Sequence, residues 1–247
     1  MSRIKIAVLS DIHGNTLALE RVLDDIKQRG VDQIVNLGDS FYGPLDPAGT
    51  ADIITEMDIP SVSGNEDREL LDDENAAHSP SIAYTKNCLI CRHWDWLNLL
   101  PKTRILFDDF FLCHGTPESD TTYLLHEINN GNLILRSDED ITALTHSIQQ
   151  KIILCGHDHT PNFIQLKNGK VIINPGSVGC PAYYSGETNP HKSERGSPHA
   201  RYSIVTIFDD DLTVENIALT YDWEAAAKLA LENGRPDWVN WLKYGRI

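Results

Sequence analysis

A chain of 247 residues, 41% of them hydrophobic, can bury one sizeable core, so a single α/β domain over residues 1–247 is a better expectation than two small ones. Its 36 acidic residues outnumber 21 basic ones, and the formal charge of −15 disfavours a nucleic-acid polymer or an anionic membrane as partner, since both select a cationic face. Small phosphorylated substrates stay admissible, because a bound metal reverses the local sign of the potential.

The first predicted element is a strand over residues 4–10, too short and too polar for a signal peptide. It runs into Asp11-Ile12-His13 and then an amphipathic helix over 15–29, with Leu17, Leu19, Val22, Leu23 and Ile26 on its apolar side and Gly30 as its stop. A second strand, 32–37, ends in Gly38-Asp39. A helix over 48–57 follows, and a short third strand, 60–63, ends in Gly64-Asn65-Glu66-Asp67. Strand, helix, strand, helix, strand is the pattern of a parallel sheet.

Residues 70–101 read as a helical insertion: a polar segment, then one helix over 81–100 carrying Cys88, Trp94 and Leu97. Cys88 and Cys91 are expected to be buried or structural thiols, because one CxxC without a second pair is weak evidence for zinc. The five cysteines are odd in number and scattered, and no stretch reaches membrane-spanning length, so a cytoplasmic protein is expected. Strands over 104–107 and 110–113 form a hairpin that leads into His114, and 138–149 is a helix.

The apolar run 152–154 is a strand covered on both faces, and it hands over at Gly156 to His157 and His159. A hairpin, 163–166 with 170–173, turns at Asn168-Gly169. A turn over 174–179 opens a long loop to about residue 200, and strands 202–208 and 212–220 pair across Asp209, Asp210 and Asp211. The C-terminal tail, 223–247, is helical with a break at 234–236. Trp238, Trp241 and Tyr244 share a helical face there, which packs on the chain's own surface or, alternatively, makes a homodimer contact.

Asp11, His13, Asp39, Asn65, His114, His157 and His159 thus all stand at strand ends. Any one alone reads as a turn or cap residue, but seven at sheet ends make a metal site. Nitrogen and oxygen donors without thiolates suit manganese, iron, zinc or nickel.

In order, Asp11-Ile-His13, Gly38-Asp39, Gly64-Asn65-Glu66-Asp67, His114 and Gly156-His157-Asp158-His159 resemble the signature of the calcineurin-like metallophosphoesterase superfamily, over about residues 4–220. Asp11-Ile-His-Gly-Asn15, Tyr42-Gly-Pro44 and Asn174-Pro-Gly-Ser177 are similar to its small bacterial and archaeal branch, described as phosphodiesterases or dinucleoside-polyphosphate hydrolases. The resemblance implies a four-layer αββα sandwich of two mixed sheets with helices outside. It implies one metal held by Asp11, His13, Asp39 and His159, and a second held by Asp39, Asn65, His114 and His157, with Asp39 bridging. The ions would be divalent, Mn(II) foremost, with Fe, Zn or Ni admissible.

Two cations roughly 3.5–4 Å apart can hold a bridging hydroxide as nucleophile and neutralise the phosphate oxygens during in-line displacement. Asn65, Glu66 and His114 are the expected catalytic residues, and Asn15, Tyr42, Arg195 and Arg201 the expected substrate contacts. The two arginines belong to a cationic stretch, 183–201, that would hold a second phosphate.

Glu66 is a departure, because many members of the family place a histidine there. Without that acid, leaving groups that are already stable anions are favoured. In a rival account Glu66 orients a ligand such as His114. The other function classes are an inactive interaction module on the same fold, against which all seven ligands stand, and a protein serine/threonine phosphatase. Against the phosphatase stand Ser40-Phe41-Tyr42-Gly43-Pro44 after Asp39, and Glu66 itself.

Overall fold

The computed structural model describes residues 3–72, 79–186, 189–209 and 211–247. Parts of the expected insertion, of the 183–201 stretch and of the 209–211 turn, namely 73–78, 187–188 and Asp210, lie outside them. Three sheets organise the chain. The first is four-stranded, in the order β13 (Asp211–Leu219), β12 (Ala200–Phe208), β1 (Ile4–Leu9), β2 (Gln33–Asn36). The second is five-stranded: β3 (Thr103–Leu106), β4 (Phe110–Cys113), β7 (Ile152–Leu154), β9 (Val171–Asn174), β8 (Asn162–Gln165). Both are mixed, since β1 runs parallel to β2 and antiparallel to β12, while β4, β7 and β9 run parallel between antiparallel edges.

Alternation along β1 builds two cores at once. Ile6 and Val8 face the second sheet and pack with Val35, Phe110, Leu112, Leu154 and Ile173. Ala7 and Leu9 face outward into a core shared with Ala18, Leu19 and Val22 of α1 (Thr16–Arg29), Ala226 and Ala230 of α7 (Trp223–Glu232) and Trp238 and Leu242 of α8 (Asp237–Tyr244). On the far side Phe111, Ile153 and Ile172 pack under Ile141 of α6 (Asp138–Leu144). Helix, sheet, sheet, helix is the four-layer sandwich expected. Among the described residues no helix is long and apolar enough to cross a membrane.

Several local expectations are corrected. The helix over 81–100 is two helices, α4 (Pro80–Cys88) and α5 (Cys91–Leu99), because Leu89 and Ile90 turn extended and His93 Nδ1 accepts the Ile90 N–H at 3.3 Å, starting a new helix. α6 stops at Leu144 rather than 149: the Thr145 hydroxyl bonds back to the Ile141 carbonyl, and Lys170 Nζ takes the carbonyls of Thr145 and Ile148 that a longer helix would use. The third strand shrinks to a single bridge, Asn36 to Ser61, beside α2 (Pro47–Glu56) and α3 (Asn65–Leu70), since Pro60 has no N–H to donate.

The third sheet was not foreseen. Its order is β10 (Ala182–Ser185), β11 (His191–Glu194), β6 (Asn132–Leu135), β5 (His126–Asn129), so the expected long loop after residue 179 carries two strands. The β5–β6 turn at Asn130-Gly131 has positive φ at both residues, 49° and 76°, and that Asn-Gly pair was a legible hairpin signal. Cys91 is exposed and Cys88 half-buried, so the buried thiols are instead Cys113, Cys155 and Cys180. In the tail, Trp238 and Trp241 are buried in the chain's own core, whereas Tyr244 remains exposed.

Candidate metal centre

The seven strand-end residues meet at one edge of the two sheets. Beyond the last residues of β1 and β2 the chain continues as a backbone ladder, with the N–H groups of Asp11, His13 and Gly14 donating to the carbonyls of Gly38, Asp39 and Ser40 at 3.0 Å. The Ser177 hydroxyl and the Gly179 N–H bind the Asp11 carbonyl from the other side, at 2.7 and 3.1 Å. Asp67 closes a third junction: its carboxylate accepts from the N–H groups of Asp39, Ser40 and Gly64 at 2.8, 3.0 and 3.0 Å. A side chain on Gly38, whose φ is +99°, would collide with the backbone of Gly64, so the turns bearing Asp39 and Asn65 approach this closely only through glycine.

Asp11, His13, Asp39, His157 and His159 all hold left-handed backbone conformations, with φ between 52° and 71°. Such conformations are uncommon outside glycine and are retained where the surrounding structure over-determines them.

The imidazoles are fixed by their other nitrogen. His114 Nδ1 donates to the Leu37 carbonyl at 2.8 Å, and His159 Nδ1 to the Cys180 carbonyl at 2.7 Å, so each Nε2 presents a lone pair. Those lone pairs face other acceptors. His159 Nε2 lies 3.1 Å from His13 Nε2 and 3.2 Å from Asp11 Oδ1, and His114 Nε2 lies 3.2 Å from both Asn65 Oδ1 and Asp39 Oδ2. Asp11 Oδ1 is buried and has no hydrogen-bond partner. A buried knot of acceptors is stable only around positive charge. Donor atoms of Asp11, His13 and Asp39 lie within 4.8 Å of one another, as do those of Asp39, His114 and His157, so the residues present fit two cations that share Asp39.

Proton affinities carry the same sign. Burial opposes charging of His13 and His114, yet Glu66, Asp39 and Asp11 raise His13 to about 9, and Asp39 and Asp11 raise His114 to about 10. His157 is pushed down to about 4, by burial and by the charge on His114. Without a cation, His13 and His114 hold protons while His157 stays neutral.

Glu66 Oε2 stands 3.2 Å from His13 Nδ1, in poor hydrogen-bonding alignment, so both atoms count as unpaired. Its neighbour is therefore His13, not His114 as the rival account had it. Asp158, between the two histidines, is structural: it accepts from the Thr160 N–H and from Asn174 Nδ2 and meets His126 Nδ1 at 2.8 Å. Cys180, absent from the expected donor set, has its sulfur near His13 and His159. Burial raises this thiol well above its usual range, and it donates to the Ala182 carbonyl, so it stays a neutral, weak donor.

The ligand cluster opens into a cavity of about 360 Å³ lined by His13, Asp39, Asn65, Glu66, His157 and His159. Of the expected substrate contacts only Tyr42 lines it. Asn15 is 1% exposed and caps α1, its amide committed to the Ala18 N–H, the Gly179 carbonyl and the Tyr221 hydroxyl. Arg195 donates to Ser193, and Arg201 to Ser197 and His199, so both turn away from the cavity. The cation that does line it is Arg235, a lone arginine between Gly234 and Pro236 whose sequence context carries no signal.

The sequence profile of the calcineurin-like phosphoesterase superfamily domain matches residues 4–189. An uncharacterized protein of Methanocaldococcus jannaschii is 29% identical over 255 residues, covering 97% of this chain and 97% of that protein. Phosphodiesterase YfcE of Escherichia coli K12 is 30% identical over 189 residues, 72% of this chain and 81% of its own. The crystal structure of a metallophosphoesterase from Sphaerobacter thermophilus shares the fold with a TM-score of 0.76 at 24% identity, over 98% of this chain and 100% of that one.

Proposed function

Since the chain belongs to the calcineurin-like phosphoesterase superfamily and is a metal-dependent phosphoric ester hydrolase, we propose that it cleaves a phosphodiester or phosphoanhydride bond of a small substrate at a two-cation centre. One observation carries this reading: the lone pairs of His114 and His159, locked by backbone carbonyls, converge with Asp11 Oδ1 in a buried knot of acceptors. Asp11, His13, Asp39 and His159 hold one ion, and Asp39, Asn65, His114 and His157 the other. Manganese suits this nitrogen and oxygen set, and iron, zinc and nickel remain admissible. An inactive module would have no use for seven such donors.

When bound, the cations supply charge neutralisation at the phosphoryl oxygens and a water of lowered pKa. The protein does the rest by position. Asp39 would be the shared ligand and is set by the Asp67 clamp, while Asn65 lines the cavity from the first turn of α3 and His114, fully buried just past the end of β4, would hold an ion from beneath. Glu66 orients His13 from behind. With no histidine at position 66, stable leaving anions such as aryl esters and anhydrides are favoured over alkyl phosphates.

The test is to load the purified protein with Mn(II), count ions per chain, and assay aryl diesters, aryl monoesters, nucleotides and dinucleoside polyphosphates. Two ions per chain with diester or anhydride turnover is the expected result. A metal content near zero after loading would remove the reading.

A further inference from the structure

The wall of the cavity that faces the candidate ligands carries chemistry a bare phosphate does not need. Arg235, Trp238 and Trp241 of the tail line it together with Tyr42, Tyr183 and Tyr184. Arg235 is the only lysine or arginine among the described lining residues. Its guanidinium is held from behind by Asp237, Nε to Oδ1 at 2.9 Å and Nη2 to Oδ2 at 2.6 Å, and by the Ser81 hydroxyl. It lies 5.6 and 5.9 Å from the ring centroids of Trp238 and Trp241, within cation–π range.

Trp238 is 2% exposed, and its indole Nε1 is buried without an acceptor. A buried donor with no partner is a standing cost, and the residue that carries it lines the cavity. Aromatic rings, an oriented guanidinium and an unspent N–H together match a planar aromatic group with a hydrogen-bond acceptor, joined to a phosphate. The tail itself lies beyond residues 4–189, the part the family profile matches.

Resting on the phosphoesterase reading of the two-cation centre, we propose that the tail forms a nucleobase subsite. Arg235 binds a phosphate oxygen, Trp238 Nε1 donates to a ring acceptor, and the substrate is a nucleotide ester or anhydride rather than a sugar or alkyl phosphate.

The full-length, Mn(II)-loaded protein is titrated with AMP, phenyl phosphate, ribose 5-phosphate and inorganic phosphate, following tryptophan fluorescence and inhibition of aryl diester hydrolysis. AMP is expected to bind about tenfold or more tightly than ribose 5-phosphate, the gain that stacking one base supplies. Trp238→Phe, which keeps a ring but removes the donor, narrows that ratio, whereas Arg235→Ala weakens AMP and ribose 5-phosphate alike.

Equal binding of AMP and ribose 5-phosphate by the wild-type protein overturns the subsite, and so does phenyl phosphate matching AMP, which would leave an aryl pocket without base recognition. Because fluorescence reads binding, a protein that hydrolysed nothing would remove the phosphoesterase reading while the AMP ratio still decided this one.

Discussion

The ligand shell and the tail wall enclose the same cavity but are made in opposite ways. The shell consists of strand ends zipped together by backbone hydrogen bonds, and its polar atoms point at one another. The wall consists of α8 and the turn before it, with Tyr42, Tyr183 and Tyr184 beside them, and there the indoles are largely buried and the guanidinium is tied to Asp237 and Ser81. In the first arrangement displacement is costly, because the His114 and His159 rings are pinned by backbone carbonyls and Asp39 by the turn that Asp67 clamps. The second can be altered residue by residue, in keeping with the chemistry proposed for the shell and the choice of substrate proposed for the wall.

The most severe way to test that division is Asp39→Asn. Removing the charge shared by both sites should lower kcat by about three orders of magnitude, with a fall in bound metal measured on the same sample. A loss no larger than that of Trp238→Phe would erase the distinction.

Next in size, chelation should destabilise the whole fold by about 3 kcal/mol when the free metal had stood near 100 times its dissociation constant, since ions that bind only the folded state add stability by mass action. Thermal melting with and without EDTA reads this. A melting temperature indifferent to metal would mean that the shell is not the ion-dependent half of the cavity.

Glu66→Gln sharpens the boundary between the two regions, for Glu66 touches His13 on one side and the cavity on the other. As an orienting partner its loss should cost about 10- to 100-fold in metal affinity and depress aryl and alkyl esters equally. A change confined to alkyl esters would assign it to the leaving group instead.

Smallest is a control outside both regions. The Tyr202 hydroxyl donates to Asp25 at 2.6 Å beneath α1, so Tyr202→Phe should cost about 1.5 kcal/mol in urea denaturation and leave kcat unchanged. Burial works against the Asp25 charge, but Tyr202 and Arg29 together hold its pKa below the usual value. A depressed carboxylate adds stability above its unfolded pKa of about 4 and loses it as pH falls through the folded value, so the gap between wild type and variant should shrink below about pH 4.

What was legible in the sequence follows the same division. Buried parallel strands are short apolar runs that end abruptly, so the seven residues that meet in the shell could be picked out as candidate donors from their places after 4–10, 32–37, 60–63, 110–113 and 152–154. In the third sheet, β5 and β6 carried a signal that was overlooked, the Asn130-Gly131 turn before an apolar run, while β10 and β11 carried none. β11 is His191-Lys-Ser-Glu194, which alternates burial without alternating polarity in any readable way. Arg195 and Arg201 misled because a cationic stretch says nothing of where its guanidinium groups point: Arg201 is bonded within its own loop, and Arg195 meets Ser193 with its Nε buried and unpartnered, neither of them lining the cavity. Arg235 was missed for the converse reason. Only the packing of α8 against α7 and β10 brings that solitary residue to the site.

The left-handed turns of the shell also limit how the site can drift under mutation. At Asp11, His13, Asp39, His157 and His159 the backbone favours glycine, asparagine, aspartate and histidine over other residues. Three of those four are oxygen or nitrogen donors, so the turn filters candidates before any ion is offered. Glutamate, glutamine and cysteine are penalised there by conformation alone. A single-step variant that survives the backbone therefore exchanges one hard or borderline donor for another, and the route to a thiolate-rich centre is closed by φ rather than by chemistry. Metal preference, in such a protein, is inherited with the shape of its turns.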